Sequence, residues 1–423
     1  MDDRIKQWVD LTREKLGLHH YFLHTNFIHS SINVFNETEY YLHMAWYPKD
    51  YKESNEEVIN PPGTAVVELN LKTGRFRSII FIDGKRETPL RFPPEDLSSL
   101  IQWIEQETGL IYETQFRFVK QEEQRRIFHS CYKGMPISPF GEIEVSLDDG
   151  GYLFFYFNDG IFPSKDEVEE EPYVITFDQS LNKVVEKEMK FHQFPSSKQR
   201  RWISVYTLQP VNIRNKDQSI LPFPKEQSGV PSVVIDQLVE WDTPEEEPFI
   251  PKRESNPRKY EVTMDDVLAN TPHRDIQPIT NREKEKAVAG VQTFMRKVFP
   301  YDSGLWKLYM LHRAHGKLNG VLKRVQDEGV LQRKVSVILE PDNFEAVHYF
   351  DNKFLLKMFG QEPSTNGMNV RKEEAVEEIL SVVQLNPVYV YDTDIKKFVL
   401  CGKLDCTYGV MADSGEVVLL SEL

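Results

Sequence analysis

The stretch Val66-Val67-Glu68-Leu69-Asn70-Leu71-Lys72-Thr73-Gly74-Arg75-Phe76-Arg77-Ser78-Ile79-Ile80-Phe81 reads as an apolar strand, a tight polar turn and a second apolar strand. Short alternating runs on either side of a Thr-Gly turn are the pattern of a β-hairpin. The same phrase returns over residues 143–155, around Asp148-Asp149-Gly150-Gly151. It returns again over 335–347, around Pro341-Asp342-Asn343, and over 408–420, around Asp413-Ser414-Gly415. Turn residues Gly74 and Gly150 are 76 apart, and Asn343 and Gly415 are 72 apart. Near-constant spacing of this kind marks a repeated supersecondary unit.

Each phrase is preceded by an amphipathic helix pattern. Ile5, Trp8, Val9, Thr12 and Leu16 recur at helical spacing and are followed by Gly17, which suits a left-handed C-terminal cap. Leu97, Leu100, Ile101 and Ile104 form a second stripe after Pro93-Pro94-Glu95-Asp96 and before Gly109. The third helix opens on Thr280-Asn281-Arg282-Glu283, a capping box, and carries Val288, Val291, Met295 and Val298. A fourth opens near Asn369, with Ala375, Val376, Ile379, Leu380 and Val383 as its stripe. Strand patterns fall between helix and hairpin, at Tyr40–Trp46, Arg126–Tyr132 and Phe398–Cys401. An apolar helix stripe and an apolar sheet face must bury each other. The expected class is α+β, with tandem helix-on-antiparallel-sheet repeats in two pairs.

The expected organisation is a first pair over residues 1–162, a β-rich middle segment and Pro/Glu-rich linker over 163–278, and a second pair over 279–423. Within the middle, Tyr173–Phe177 and Trp202–Tyr206 read as strands, and Val174–Met189 resembles the hairpin phrase. The linker reading rests on Asp242–Pro248 and Pro251–Lys259.

Composition narrows the function classes. Hydrophobic residues make up 40% and aromatics 12%, as in a globular chain. Three cysteines, Cys131, Cys401 and Cys406, are too scattered for a disulfide framework and fit a reducing compartment. Met1-Asp2-Asp3-Arg4-Ile5-Lys6 lacks the start of a secretory leader, and no apolar run reaches membrane-spanning length. The expected location is cytoplasmic. A net charge of −15 repels phosphate backbones, which argues against nucleic acid as the partner.

The repeats resemble the PepSY superfamily pattern. Tyr132-Lys133-Gly134-Met135-Pro136-Ile137 followed by Glu142–Gly150 is similar to its strand ending in Gly-x-Pro and strand ending in Asp-x-x-Gly. Leu69-Asn70-Leu71-Lys72-Thr73-Gly74-Arg75 is close to its Thr-Gly hairpin, and Arg371–Val376 is similar to its opening helix. Tandem use looks most like the YcdB/YcdC-type repeated domain of spore-forming bacilli. The third copy departs most, with Pro341-Asp342-Asn343 in place of glycine; Asn343 suits a left-handed turn position. The resemblance covers the two outer regions and leaves out the middle. It implies a helix-on-sheet fold and a non-enzymatic role, restraining peptidases or contacting envelope components. It carries no catalytic residues.

Candidate chemistry is sparse. His19, His20, His24 and His29, with His43 on the next strand, are the densest histidine group. His20 and His24 share strand parity and are the candidate metal ligands, although their spacing matches no zinc motif. His129 lies two residues from Cys131, a weak nucleophile pair. Cys401 and Cys406 would need a bulge at Gly402 to meet. Asp148-Asp149 and Asp265-Asp266 sit at a turn and a helix start, where acids serve local ends. No Gly-rich phosphate loop, nucleophile elbow or dinucleotide fingerprint is present, so no cofactor is expected. In Phe154-Phe155-Tyr156-Phe157 the residues alternate, and Phe154 and Tyr156 are the expected partner surface. The leading expectation is a protein- or peptide-binding module. The alternatives are a metal- or His/carboxylate-dependent hydrolase and a self-assembling structural protein.

Overall fold

Asp2 caps the first helix, its carboxylate accepting from the Arg4 amide at 2.9 Å, and Gly17 ends it at φ 65. The computed structural model to which these caps belong describes residues 2–51, 60–82, 88–93, 95–196, 198–223, 231–245, 247–252, 262–325, 332–358 and 369–423. Pro94 and most of the expected linker Pro251–Lys259 lie outside the described residues. The chain folds into two compact units. One is built from Met1–Pro172, Arg258–His273 and Pro387–Cys401; the other from Tyr173–Pro257, Arg274–Asn386 and Gly402–Leu423. The fold is α+β, of helices laid on mainly antiparallel sheets.

In the first unit, α1 (Asp3–Leu16) precedes β1 (Tyr21–Ile32), β2 (Thr38–Pro48), β3 (Ala65–Asn70) and β4 (Arg75–Phe81). Helix α2 (Leu97–Thr108), capped by Asp96 and ended by Gly109 at φ 66, precedes β5 (Phe116–Glu122), β6 (Arg125–Tyr132), β7 (Met135–Ser138), β8 (Glu142–Leu147) and β9 (Leu153–Asp159). The two copies join through their last strands, where Ser78, Ile79 and Ile80 of β4 oppose Phe157, Tyr156 and Phe155 of β9. The antiparallel order is therefore β1-β2-β3-β4-β9-β8-β6, with β5 and β7 also on β6. One sheet face carries Leu42, Met44, Trp46, Val67, Leu69, Ile79, Val145 and Tyr156 into a core shared with Val9, Leu16, Leu100 and Ile104 of the helices.

The second unit holds two further helix-on-sheet layers. Helix α3 (Gln179–Glu188) is followed by β10 (Met189–Ser196), β11 (Arg201–Leu208), and the short β12 (Val211–Arg214) and β13 (Ile220–Leu221). After β14 (Ser232–Val239) come α4 (Asn281–Val298), β15 (Trp306–Ala314), β16 (Lys317–Arg324), β17 (Lys334–Leu339) and β18 (Ala346–Asp351). Helix α5 (Lys372–Leu380) leads to β19 (Gln384–Asp392), β20 (Lys397–Asp405), β21 (Tyr408–Met411) and β22 (Val417–Leu419). The third copy makes a sheet β14-β15-β16-β17-β18 over Ala287, Val291, Phe294 and Met295 of α4. In the fourth, the hairpin β21–β22 does not stay with β19 and β20. It extends the middle segment's β10–β11, with Val205, Tyr206 and Thr207 opposite Met411, Val410 and Gly409. α3 and α5 both contribute to the core beneath this sheet through Leu181, Val185, Ala375 and Ile379. From Pro387 onward β19 belongs to the first unit, where Tyr389 and Val390 run parallel to Ile137 and Ser138 of β7.

Four local readings are corrected. Tyr173–Phe177 is not a strand, and Val174–Met189 is no hairpin: Asp178 caps Ser180 at 2.8 Å and starts α3 there. Leu181 and Val185 then point into the core at helical spacing, which outweighs the β-branched run before them. In the third hairpin the left-handed residue is Phe344 (φ 61), not Asn343, whose side chain instead accepts from the Glu345 amide. In the second it is Gly151 rather than Gly150. Three hairpins share one closure, an amide bonded to the carbonyl four residues back: Gly74 to Asn70, Phe344 to Glu340 and Gly415 to Met411.

Candidate functional site

Alternation sends every second residue of β1–β4 and β9 away from the core. One row of opposed residues on that outer face runs Phe27, His43, Glu68, Ser78, Phe157. Beside it, His29 opposes Tyr41. Between Glu68 and Leu69, β4 has one residue too many, and the extra residue is Arg77. A bulge re-aims a side chain, and here the Arg77 guanidinium comes to lie 2.8 Å from Asp159 and 3.6 Å from Glu68.

Glu68 is the hub. One oxygen meets His29 Nε2 at 3.1 Å and His43 Nδ1 at 3.7 Å; the other faces Arg77. Burial pushes its acidity the wrong way, yet the bonds to His29 and His43 and the Arg77 charge overcome it. The carboxyl is held far below the usual carboxylate range. Burial, then the Glu39 carboxylate that accepts from its hydroxyl, raises the Tyr41 phenol well above its ordinary value. The Arg77 guanidinium lies 4.5 Å over the Tyr41 ring, and the Phe27 and His43 rings stack at 4.5 Å. The result is a half-buried surface of rings around an acid held in its charged form. Efficient general acids and bases titrate near the working pH, so Glu68 is suited to holding charge rather than to moving protons.

The structure brings His29 and His43 together but separates the expected metal pair. His20 ends a 3-10 turn, and His24 is the extra residue of a bulge, its ring stacked on Tyr47 at 4.1 Å. The parity the two share in sequence is lost. Among the described residues no group of three or more His, Cys, Asp or Glu is placed to hold a metal. Cys131 is buried and its thiol is pushed up by that burial, while His129 faces Glu142 at 3.3 Å. Cys401 and Cys406 are buried, and neither takes part in a disulfide. Asp148 accepts from Gly150 and Tyr152 amides within its turn, and Asp266 completes a capping box with Thr263.

The expected partner surface faces inward. Tyr156 is fully buried, edge-on to Trp103 at 5.1 Å, and Phe154 packs against the same core. The opposition of Val145 and Ile79 to Tyr156 puts that parity on the helix side; Phe155 and Phe157 are the outward pair. Sequence reading missed Glu68, Arg77 and Asp159. Only Glu68 left a signal, as a charge between the apolar Val67 and Leu69.

No protein-family model and no curated protein matches the chain. Among solved structures it is similar to the Bacillus megaterium YpeB C-terminal domain, with TM-score 0.25 and 12% identity over 53% of this chain and 97% of that one. Among the described residues no helix is long and apolar enough to cross a membrane.

Proposed function

We propose that this chain is a non-catalytic binding module that takes an extended protein or peptide segment as an added strand along β1. The observation that carries this reading is the composition of that edge. β1 is the terminal strand of its sheet, and among the described residues the stretch 22–26 has β2 as its only strand neighbour. Native edge strands are normally guarded by lysine, proline or inward charges. β1 has no Lys, Arg, Asp, Glu or Pro over its whole length, keeps only the bulge at His24 as a guard, and leaves Phe22 40% exposed. The neighbouring ring surface around Glu68 would read the side chains of the added strand. Strand addition draws affinity from main-chain bonds and specificity from alternate side chains. Resemblance of the repeats to PepSY modules supports a peptidase as the partner, held in check by this binding.

The test is a peptide selected from a displayed library against the intact chain, compared with the same peptide N-methylated at alternate residues. Strand addition predicts that one of the two N-methylation registers weakens binding at least about tenfold, the effect of losing roughly 1.4 kcal/mol of main-chain bonds. Equal affinity of both registers and the parent would overturn the proposal.

A further inference from the structure

In the second unit an open groove of about 600 Å³ lies between α4, the β17–β18 turn and the segment 248–250. That volume is within the range of small-molecule sites, roughly 300–1,000 Å³. Its apolar lining includes Phe249, Phe294 and Phe344. The polar groups of the lining are mostly committed. Lys297 is paired with Glu245 at 3.1 Å, Glu345 with Lys252 at 3.2 Å, and the Thr293 hydroxyl donates to the Ala289 carbonyl at 3.0 Å. Lys286 differs. Its exposed ammonium sits 5.4 Å over the Phe344 ring with no described carboxylate in salt-bridge reach.

The base of the groove is built at a conformational cost. Phe344 is buried in a left-handed conformation that its counterparts Gly74 and Gly415 adopt without strain. Gly290 allows this, because a Cβ there would overlap the Phe344 carbonyl oxygen. Bulky residues held in such a conformation cluster at ligand sites. With Lys297 already paired to Glu245, one ammonium and no arginine fork are left in the lining for a ligand. That matches a monoanion better than a phosphate, which calls for more donors.

We infer that this groove binds small amphiphilic carboxylates, the apolar tail against Phe249, Phe294 and Phe344 and the carboxylate on Lys286. The probe is octanoate, titrated calorimetrically into the intact protein below its micelle concentration, with octanol and inorganic phosphate as comparisons. Saturable binding of one octanoate is expected. Lys286→Gln, at an exposed helix position, should weaken it about tenfold, as should replacing octanoate by octanol. Ala289→Trp, also exposed and on the lining, should abolish it while the circular dichroism melt stays as in the parent. No saturable octanoate binding, equal affinity for octanol, or wild-type affinity in Lys286→Gln would each overturn the inference, and tighter binding of phosphate would assign the groove to a different anion.

Discussion

Gly290 of α4 and Phe344 of the β17–β18 turn require each other: the helix comes so close to the turn that any side chain at 290 would enter the Phe344 carbonyl. In the first copy the sizes are reversed. There the turn residue is Gly74, and the helix supplies the bulk through Trp8, whose ring would stand 2.7 Å from a Cβ at 74. The same helix-to-turn contact is thus filled from opposite sides in two copies of one unit.

That relationship gives the first prediction. Gly290→Ala should raise helix propensity by up to about 1 kcal/mol, yet overpacking against backbone costs about 1–3 kcal/mol. The net expected outcome is a lower melting temperature for the second unit. A rise would show that the turn moves aside freely.

Glu68→Gln should destabilise the first unit by about 1–2 kcal/mol at pH 7, the worth of charge-assisted hydrogen bonds in a partly exposed network. The pH dependence has a definite sign. A carboxyl whose folded pKa is depressed contributes stability that is present above its unfolded pKa, about 4.3, and is lost as pH falls toward the folded value. The Glu68 share of the difference between wild type and Glu68→Gln should therefore shrink as pH falls below about 5. Denaturant melts at a series of pH values check this; a difference that grows as pH falls from about 5 toward about 3 would contradict the network.

Removing residues 406–423 takes β21 and β22 off the edge of β11 and strips Val410 and Ala412 from the core they share with Leu181 and Val185. Amides of Ile203–Tyr206 should lose hydrogen-exchange protection, while those of β3 and β4 keep theirs. Unchanged protection in β11 would mean that the middle segment folds without the C-terminal hairpin.

All three thiols are buried, and burial raises those of Cys131 and Cys406. A thiol reagent at pH 7 should label them slowly in the native protein and fully after denaturation. Rapid native labelling of Cys131 would restore it as a candidate nucleophile beside His129.

What was legible in the sequence was local. Gly17, Gly109 and the Thr280–Glu283 box end or start helices where expected, because a cap is a bond between near neighbours. All four hairpins form, for the same reason. α3 was not legible because its cap, Asp178, follows a β-branched run whose propensity points the other way. The pairing of β11 with β21 joins residues about two hundred positions apart, and nothing in either strand names the other. The ring surface shows both sides of this. His29 and His43 stand out in the sequence as histidines, whereas Arg77 reaches Glu68 only through a bulge, and Asp159 arrives with the second repeat. Parity alone could not say which half of Phe154–Phe157 faces the helices; the opposition of Ile79 to Tyr156 decides it.

The measurement that bears most directly on the binding role is hydrogen exchange of β1 with and without the selected peptide, read at single-residue resolution. Strand addition predicts slowed exchange at alternate amides within residues 22–26, with β21–β22 unaffected. Protection confined to other strands, or none at saturating peptide, would contradict β1 as the binding edge.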